Sequence, residues 1–279
     1  MSAVTPTPVS DGSPLSQRVR VTVPALHGAK RRGEKVTVLT AYDWAFARLL
    51  DQAGVDCLLV GDSLGMVVQG HPHCLTVTMD QMVYHTSLVS RAVRRALVVA
   101  DMPFMSYQIS VEKALQNAGR LIQEGGAAAV KLEGGVVRAE TVRAIVGSGI
   151  PVMGHIGLTP QSVHEFGGFK VQRDGKRLLA DAHALEEAGV FALVIECVPG
   201  ELARDITAAV RVPTIGIGAG PDCDGQVLVL HDVLGMLPEG RPRFVKSYAD
   251  LASTVQAAAR QYVADVRAGA FPAQEHTVS

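Results

Sequence analysis

The sequence runs to 279 residues, 48% of them hydrophobic but only 5% aromatic, and its 27 acidic side chains nearly cancel its 26 basic ones. That balance leaves no net field to hold a polyanion or an anionic membrane surface, which argues against nucleic-acid and membrane partners. Nor does any charge-free apolar run reach the ~18 residues needed to span a bilayer.

Residues 1–20 begin MSAVTPTPVSDGSPLSQ, a Ser-, Thr- and Pro-rich stretch that predicts a flexible tail and lacks the basic-then-apolar pattern of a signal peptide. From residue 21 to 279, short aliphatic runs alternate with longer stretches of helical periodicity, the pattern of βα units wound into a parallel sheet. Strands are predicted at 36–41, 57–62, 97–101, 129–133, 151–156, 192–197, 214–218 and 244–246. Between them Ser110 is placed to cap a helix through Glu124, and Gly189 to end one that starts at Lys176. The run Arg91, Arg94 and Arg95 reads as the solvated C-terminal end of a helix, where positive charge suits the dipole. Eight strands in about 250 residues predict a single-domain (β/α)8 TIM barrel. An open doubly wound sheet is the competing architecture, but no GxGxxG opens the first helix. Cys57, Cys74, Cys197 and Cys223 form no CxxC pair, so a reducing, cytoplasmic setting is expected.

Active sites of such barrels gather where strands run out into the βα loops. The predicted exits carry Asp62 and Ser63 in CLLVGDS, Asp101 in LVVADMP, Lys131 and Glu133 in AVKLEGG, and Glu196 in ALVIECVP. One carboxylate alone would be an ordinary loop residue or helix cap. Four on one rim repel unless a cation or shared protons neutralise them, and a hard divalent ion such as Mg²⁺ suits an oxygen donor set. Lys131 and Glu133, two apart on one strand, point the same way, with Leu132 towards the helices. Either they form a structural ion pair or Lys131 is a cation for a substrate carboxylate. His155, in PVMGHIG, is either a general base or a histidine that fixes a loop. Gly218, in IGIGAG, sits where barrels often bind phosphate, or merely lets the backbone turn. His71 and His73 flank Pro72 and read as loop histidines rather than metal ligands.

The strings TAYDWAFA, LLVGDSLGMVVQGH, VVADMPFMSY, AVKLEGG, GHIGLTPQSV, FGGFKVQ, IECVP, IGIGAG with DGQVLV, and FPAQEH follow one another from about Thr40 to His276. In this order they resemble the ketopantoate hydroxymethyltransferase family. The resemblance implies a hydroxymethyl transferase at the head of the pantothenate pathway, taking a one-carbon unit from 5,10-methylenetetrahydrofolate to 3-methyl-2-oxobutanoate. It implies Mg²⁺ on Asp62 and Asp101, with Glu133 joining directly or through water. Ser63 and Lys131 would hold the keto acid, and Glu196 would be the base that takes a proton from the carbon beside the ketone. A large homo-oligomer, a decamer, is also implied. The stretch FGGFKVQRDGKRLL departs from the family pattern after Lys-Val-Gln, in a region suited to a lid or a subunit contact. Related α-keto acid barrels of the phosphoenolpyruvate mutase and isocitrate lyase type are the alternative, but the loop DMPFMSYQ offers no thiol of the kind their catalytic loops carry.

Overall fold

The computed structural model describes residues 19–237 and 242–278; most of the expected N-terminal tail lies outside them. Eight aliphatic segments, seven of them among those predicted, form strands: β1 (Val36–Thr40), β2 (Cys57–Val60), β3 (Leu97–Asp101), β4 (Ala129–Glu133), β5 (Val152–Gly157), β6 (Ala192–Glu196), β7 (Thr214–Ile217) and β8 (Gly225–Leu228). Each pairs in parallel with the next, and β8 returns to β1. The result is a closed (β/α)8 barrel in a single domain.

Alternation along the strands separates two apolar layers. Val38, Leu59, Val99, Met153, Val194 and Ile215 pack with one another inside the barrel. Leu58, Val98, Val130, Leu132, Leu193 and Ile195 face outward against the helices. Near the strand C-termini the inward positions turn polar: Thr40, Asp101, Lys131, Glu133 and His155 are all buried there. The site is thus the top layer of the barrel filling, with side chains fixed by the pleat.

Among the described residues eleven helices follow one another: α1 (Val23–Arg32), α2 (Trp44–Ala53), α3 (Leu64–Val67), α4 (Met79–Ala92), α5 (Val111–Gln123), α6 (Ala139–Gly147), α7 (Val163–Phe166), α8 (Gly175–Ala188), α9 (Gly200–Ala209), α10 (Leu230–Val233) and α11 (Leu251–Ala268). Helix α1 precedes the barrel and closes its lower end. Its Leu26 joins the inner apolar layer, its His27 bonds the Phe191 carbonyl at 2.8 Å, and its Lys30 donates to the carbonyls of Thr207 and Val212 and to Asp224. Ser110 caps α5 by accepting from the Lys113 N–H, and Gly189 ends α8 with a left-handed φ. No helix among the described residues is long and apolar enough to cross a membrane.

Two sequence expectations need correction. The eighth strand is not 244–246 but Gly225–Leu228, whose polar Gln226 breaks up the apolar run. Phe244 instead lies in a loop, with its ring over Gly218. Arg95 is not a solvated helix end. It lies beyond α4, donates to the carbonyls of Gly54 and Val55, and pairs with Asp56 at 2.7 Å. The main-chain N–H groups of Arg94, Arg95 and Ala96 all converge on the buried carboxylate of Asp51, so this segment fixes the entry into β3.

Candidate active site

Strand register brings the polar positions together. Asp101 lies beside Lys131, and Glu133 beside His155; Glu196 sits two residues beyond Val194, the partner of His155. The Lys131 ammonium stands 3.0 Å from Asp101 Oδ1, so its closest carboxylate is on the neighbouring strand rather than Glu133 on its own. His155 spans two acids, with Nδ1 3.5 Å from Glu133 Oε1 and Nε2 3.2 Å from Glu196 Oε2. Nδ1 also lies 3.3 Å from the Lys131 ammonium. Asp62 follows β2 and donates its main-chain N–H to Asp101 Oδ2 at 3.0 Å. Ser63 meets the Tyr42 hydroxyl at 2.8 Å. Gly218 makes no contact with this cluster among those described; a Cβ there would press on the Phe244 ring at 2.7 Å, so its missing side chain makes room for that ring.

Burial and crowding set the electrostatics. Asp62 is pushed up to about 8, first by loss of water and then by the charges of Asp101 and Glu133, against Lys131 and a bond from Gln161. Burial also raises Asp101, although Lys131 opposes it. Burial works against ionised Glu133 too, but His155, Lys131 and the Gln161 main chain outweigh it and hold that carboxyl below its usual range. Burial and the Lys131 charge disfavour a protonated His155, yet Glu133 and Glu196 prevail and push it up to about 9. Lys131 is raised despite burial by Asp101, Glu133 and Asp62.

Three buried carboxylates thus share one close ammonium and one histidine. Asp101 Oδ1 and His155 Nε2 have no partner of good hydrogen-bond geometry, although the Lys131 ammonium lies 3.0 Å from the first and Glu196 3.2 Å from the second. Among the described residues no three His, Cys, Asp or Glu side chains form a ready metal cage. An excess of hard oxygen donors with one uncommitted lone pair fits a divalent cation held by one or two carboxylates, with water and substrate completing its shell. His71 is exposed and His73 packs edge-on against His164, 5.5 Å between ring centres.

Sequence reading overlooked three members of the site. Tyr42, at the exit of β1, supports Ser63; Tyr107, in the loop after β3, accepts from the Glu133 N–H at 3.1 Å. Gln161, in the turn after β5, donates to Asp62 at 2.9 Å. The only signal for them was position after a strand, in TAYD, PFMSY and LTPQS. The loop bearing FGGFKVQ reaches the β6 exit, where the Gln172 N–H bonds the carbonyl of Cys197, the residue after Glu196.

Residues 20–274 match the family model described as ketopantoate hydroxymethyltransferase. A 3-methyl-2-oxobutanoate hydroxymethyltransferase of Moorella thermoacetica is 61% identical, over 94% of this chain and 99% of that one. Proteins of the same description from Pelobacter propionicus (93% and 98% covered) and Syntrophomonas wolfei (92% and 95%) are 55% and 57% identical. Among solved structures, a phosphonopyruvate hydrolase complexed with oxalate and Mg²⁺ superposes with a TM-score of 0.60 at 14% identity, covering 91% of this chain and 92% of that one. A 2,3-dimethylmalate lyase superposes with 0.58 at 17%, covering 92% and 91%. At such identities these two likenesses concern the fold alone.

Proposed function

The chain belongs to the ketopantoate hydroxymethyltransferase family, and on that premise we propose that the acids at its barrel mouth carry the family's reaction, with Glu196 as the base. The reaction is transfer of a hydroxymethyl group to 3-methyl-2-oxobutanoate, giving ketopantoate, the first step of pantothenate synthesis. The family implies a methylenetetrahydrofolate co-substrate and a metal.

In our reading the metal is Mg²⁺, held by Asp62 and Asp101 with Glu133 joining directly or through water. When bound, it stabilises negative charge developing on the keto oxygen. Lys131 and Ser63 hold the carboxylate and oxo groups, and Tyr42 keeps the Ser63 hydroxyl turned to the site. Glu196 takes the proton from carbon 3 of the keto acid, the carbon beside the ketone. His155 fixes the orientation of Glu196, which favours a positioning role over that of general base. Water adds to the iminium form of the folate and releases its one-carbon unit from tetrahydrofolate as formaldehyde; carbon 3 attacks that carbonyl carbon, and its oxygen takes the proton that Glu196 removed, giving the hydroxymethyl group. One carbon–carbon bond forms without redox change.

The observation that carries this reading is the His155 bridge, 3.2 Å from Glu196 and 3.5 Å from Glu133, which ties the proton acceptor to an acid of the proposed metal site. Deuterium exchange at carbon 3 of 3-methyl-2-oxobutanoate, with Mg²⁺ and without folate, tests it. The wild type should exchange, and Glu196→Gln should bind the keto acid but not exchange; exchange by that variant would move the base elsewhere.

Two further properties complete the reading. The described residues of α11 are all at least partly exposed, with Val255, Tyr262, Val263 and Val266 open in the isolated chain, which supports assembly into a homo-oligomer. Four unpaired cysteines support a cytoplasmic setting.

A further inference from the structure

Gln161 is buried and touches three strand exits at once. Its main-chain N–H donates to Glu133 Oε2 at 2.9 Å, after β4. Its side-chain nitrogen donates to Asp62 Oδ2 at 2.9 Å, after β2, and to the Met102 carbonyl at 3.0 Å, after β3. Its side-chain oxygen accepts from the Tyr107 hydroxyl at 2.7 Å and from Gln108 Nε2 at 3.0 Å.

Both amide hydrogens and both oxygen lone pairs are therefore used. A flipped amide would set its oxygen against Asp62 and the Met102 carbonyl and its nitrogen against the Gln108 amide nitrogen, so the network permits one orientation. Tyr107 supports it, because its hydroxyl lies 2.7 Å from the Gln161 oxygen, nearer than its other acceptor, the Glu133 carbonyl at 3.2 Å, while its own oxygen receives the Glu133 N–H. Asp62 and Glu133 come from strands that are not neighbours, separated by β3. Their like charges repel, and nothing in the strand register fixes the gap between them. One residue, clamped at both ends, does so.

We propose that Gln161 is a positioning residue that sets the spacing and rotation of Asp62 and Glu133 for the divalent cation and the keto acid. This rests on the metal reading above. The side-chain amide gives Asp62, and the main-chain N–H gives Glu133, a neutral donor on one oxygen, so orientation is secured without an added positive charge that would compete with the cation.

Mn²⁺ binding to the purified protein, counted as free Mn²⁺ by electron paramagnetic resonance, tests the inference without reference to turnover. Gln161→Met keeps the side-chain volume and the main-chain bond but removes the amide. Its Mn²⁺ affinity should fall by about 10–100-fold, the usual effect of losing a partner of a metal ligand. The metal concentration for half-maximal activity should rise in step, with a smaller change in kcat at saturating metal. Tyr107→Phe, which removes one of the two donors that hold the amide oxygen, should lose part of the same affinity. Wild-type Mn²⁺ affinity in folded Gln161→Met overturns the proposal, even if its Tm is lower, because a purely structural role predicts that result. If Gln161→Met does not fold, unchanged affinity in Tyr107→Phe overturns it equally. Asp101→Ala separates the two readings: wild-type Mn²⁺ binding there refutes the metal site itself, whereas loss there beside intact binding in Gln161→Met refutes only the role of Gln161.

Discussion

Gly157 closes β5 with a φ of +96° and lies in register with Glu196 on β6. In Gly157→Ala the new Cβ would overlap the Glu196 carbonyl oxygen and stand 2.9 Å from Val198 Cγ2 and 3.1 Å from the Glu196 nitrogen. The first and last of these are backbone atoms that cannot rotate aside, and that carbonyl already accepts from the Leu158 N–H at 2.9 Å. A non-glycine residue in this conformation costs about 1–3 kcal/mol before any clash. Restoring ordinary contact requires the end of β6 to shift by about 1 Å, and a displacement of that size at a reacting group lowers the rate by about 100-fold. With the clash included, the expected stability loss is about 2–4 kcal/mol. Urea denaturation reads the stability and carbon-3 deuterium exchange reads the proton transfer. Wild-type exchange at an unchanged urea midpoint would refute the claim that Gly157 exists to let β6 present Glu196.

Gly119 supplies the control: it lies inside α5, a Cβ there meets nothing within 4 Å, and Gly119→Ala should raise stability by about 0.5–1 kcal/mol in the same urea assay without altering exchange. Asp51→Ala strips the carboxylate from three main-chain N–H groups and should cost about 3–5 kcal/mol by urea denaturation; a loss below about 1 kcal/mol would mean that water replaces the carboxylate. In metal-free protein Asp62 sits at about 8 when folded and near ~4 when unfolded. The folded state therefore binds the extra proton, and this contribution to stability, complete below pH ~4, is lost as pH rises through about 8. Urea midpoints measured across that range in EDTA should show the fall, and Mg²⁺ should suppress it. A midpoint independent of pH in EDTA would show that the carboxylates are not crowded as described.

Seven of the eight strands were legible in the sequence because a strand buried on both faces must be largely aliphatic, as CLLV and the ALVI before Glu196 are. The same pleat made it legible that Lys131 and Glu133 share a face while Leu132 points away. The eighth strand was not legible: four residues long and with Gln226 exposed, Gly225–Leu228 carries less apolar signal than the Phe244 loop, and only closure between β7 and β1 makes it a strand. Which carboxylate meets which cation was beyond the sequence as well. Lys131 pairs with Asp101 because β3 and β4 align those two positions, and His155 reaches Glu196 because β5 and β6 set it opposite Val194, two residues before that acid on the same face. Gln161 shows the limit most plainly. It lies in a short 3₁₀ turn with no periodicity, and its five partners come from four positions between 53 and 99 residues away and from a fifth 28 residues away. Local chemistry determined which residue types stand on the rim, because alternation and burial act within a strand. Their pairing was decided only by the closed barrel, because it depends on distances between segments that nothing in the chain's local order specifies.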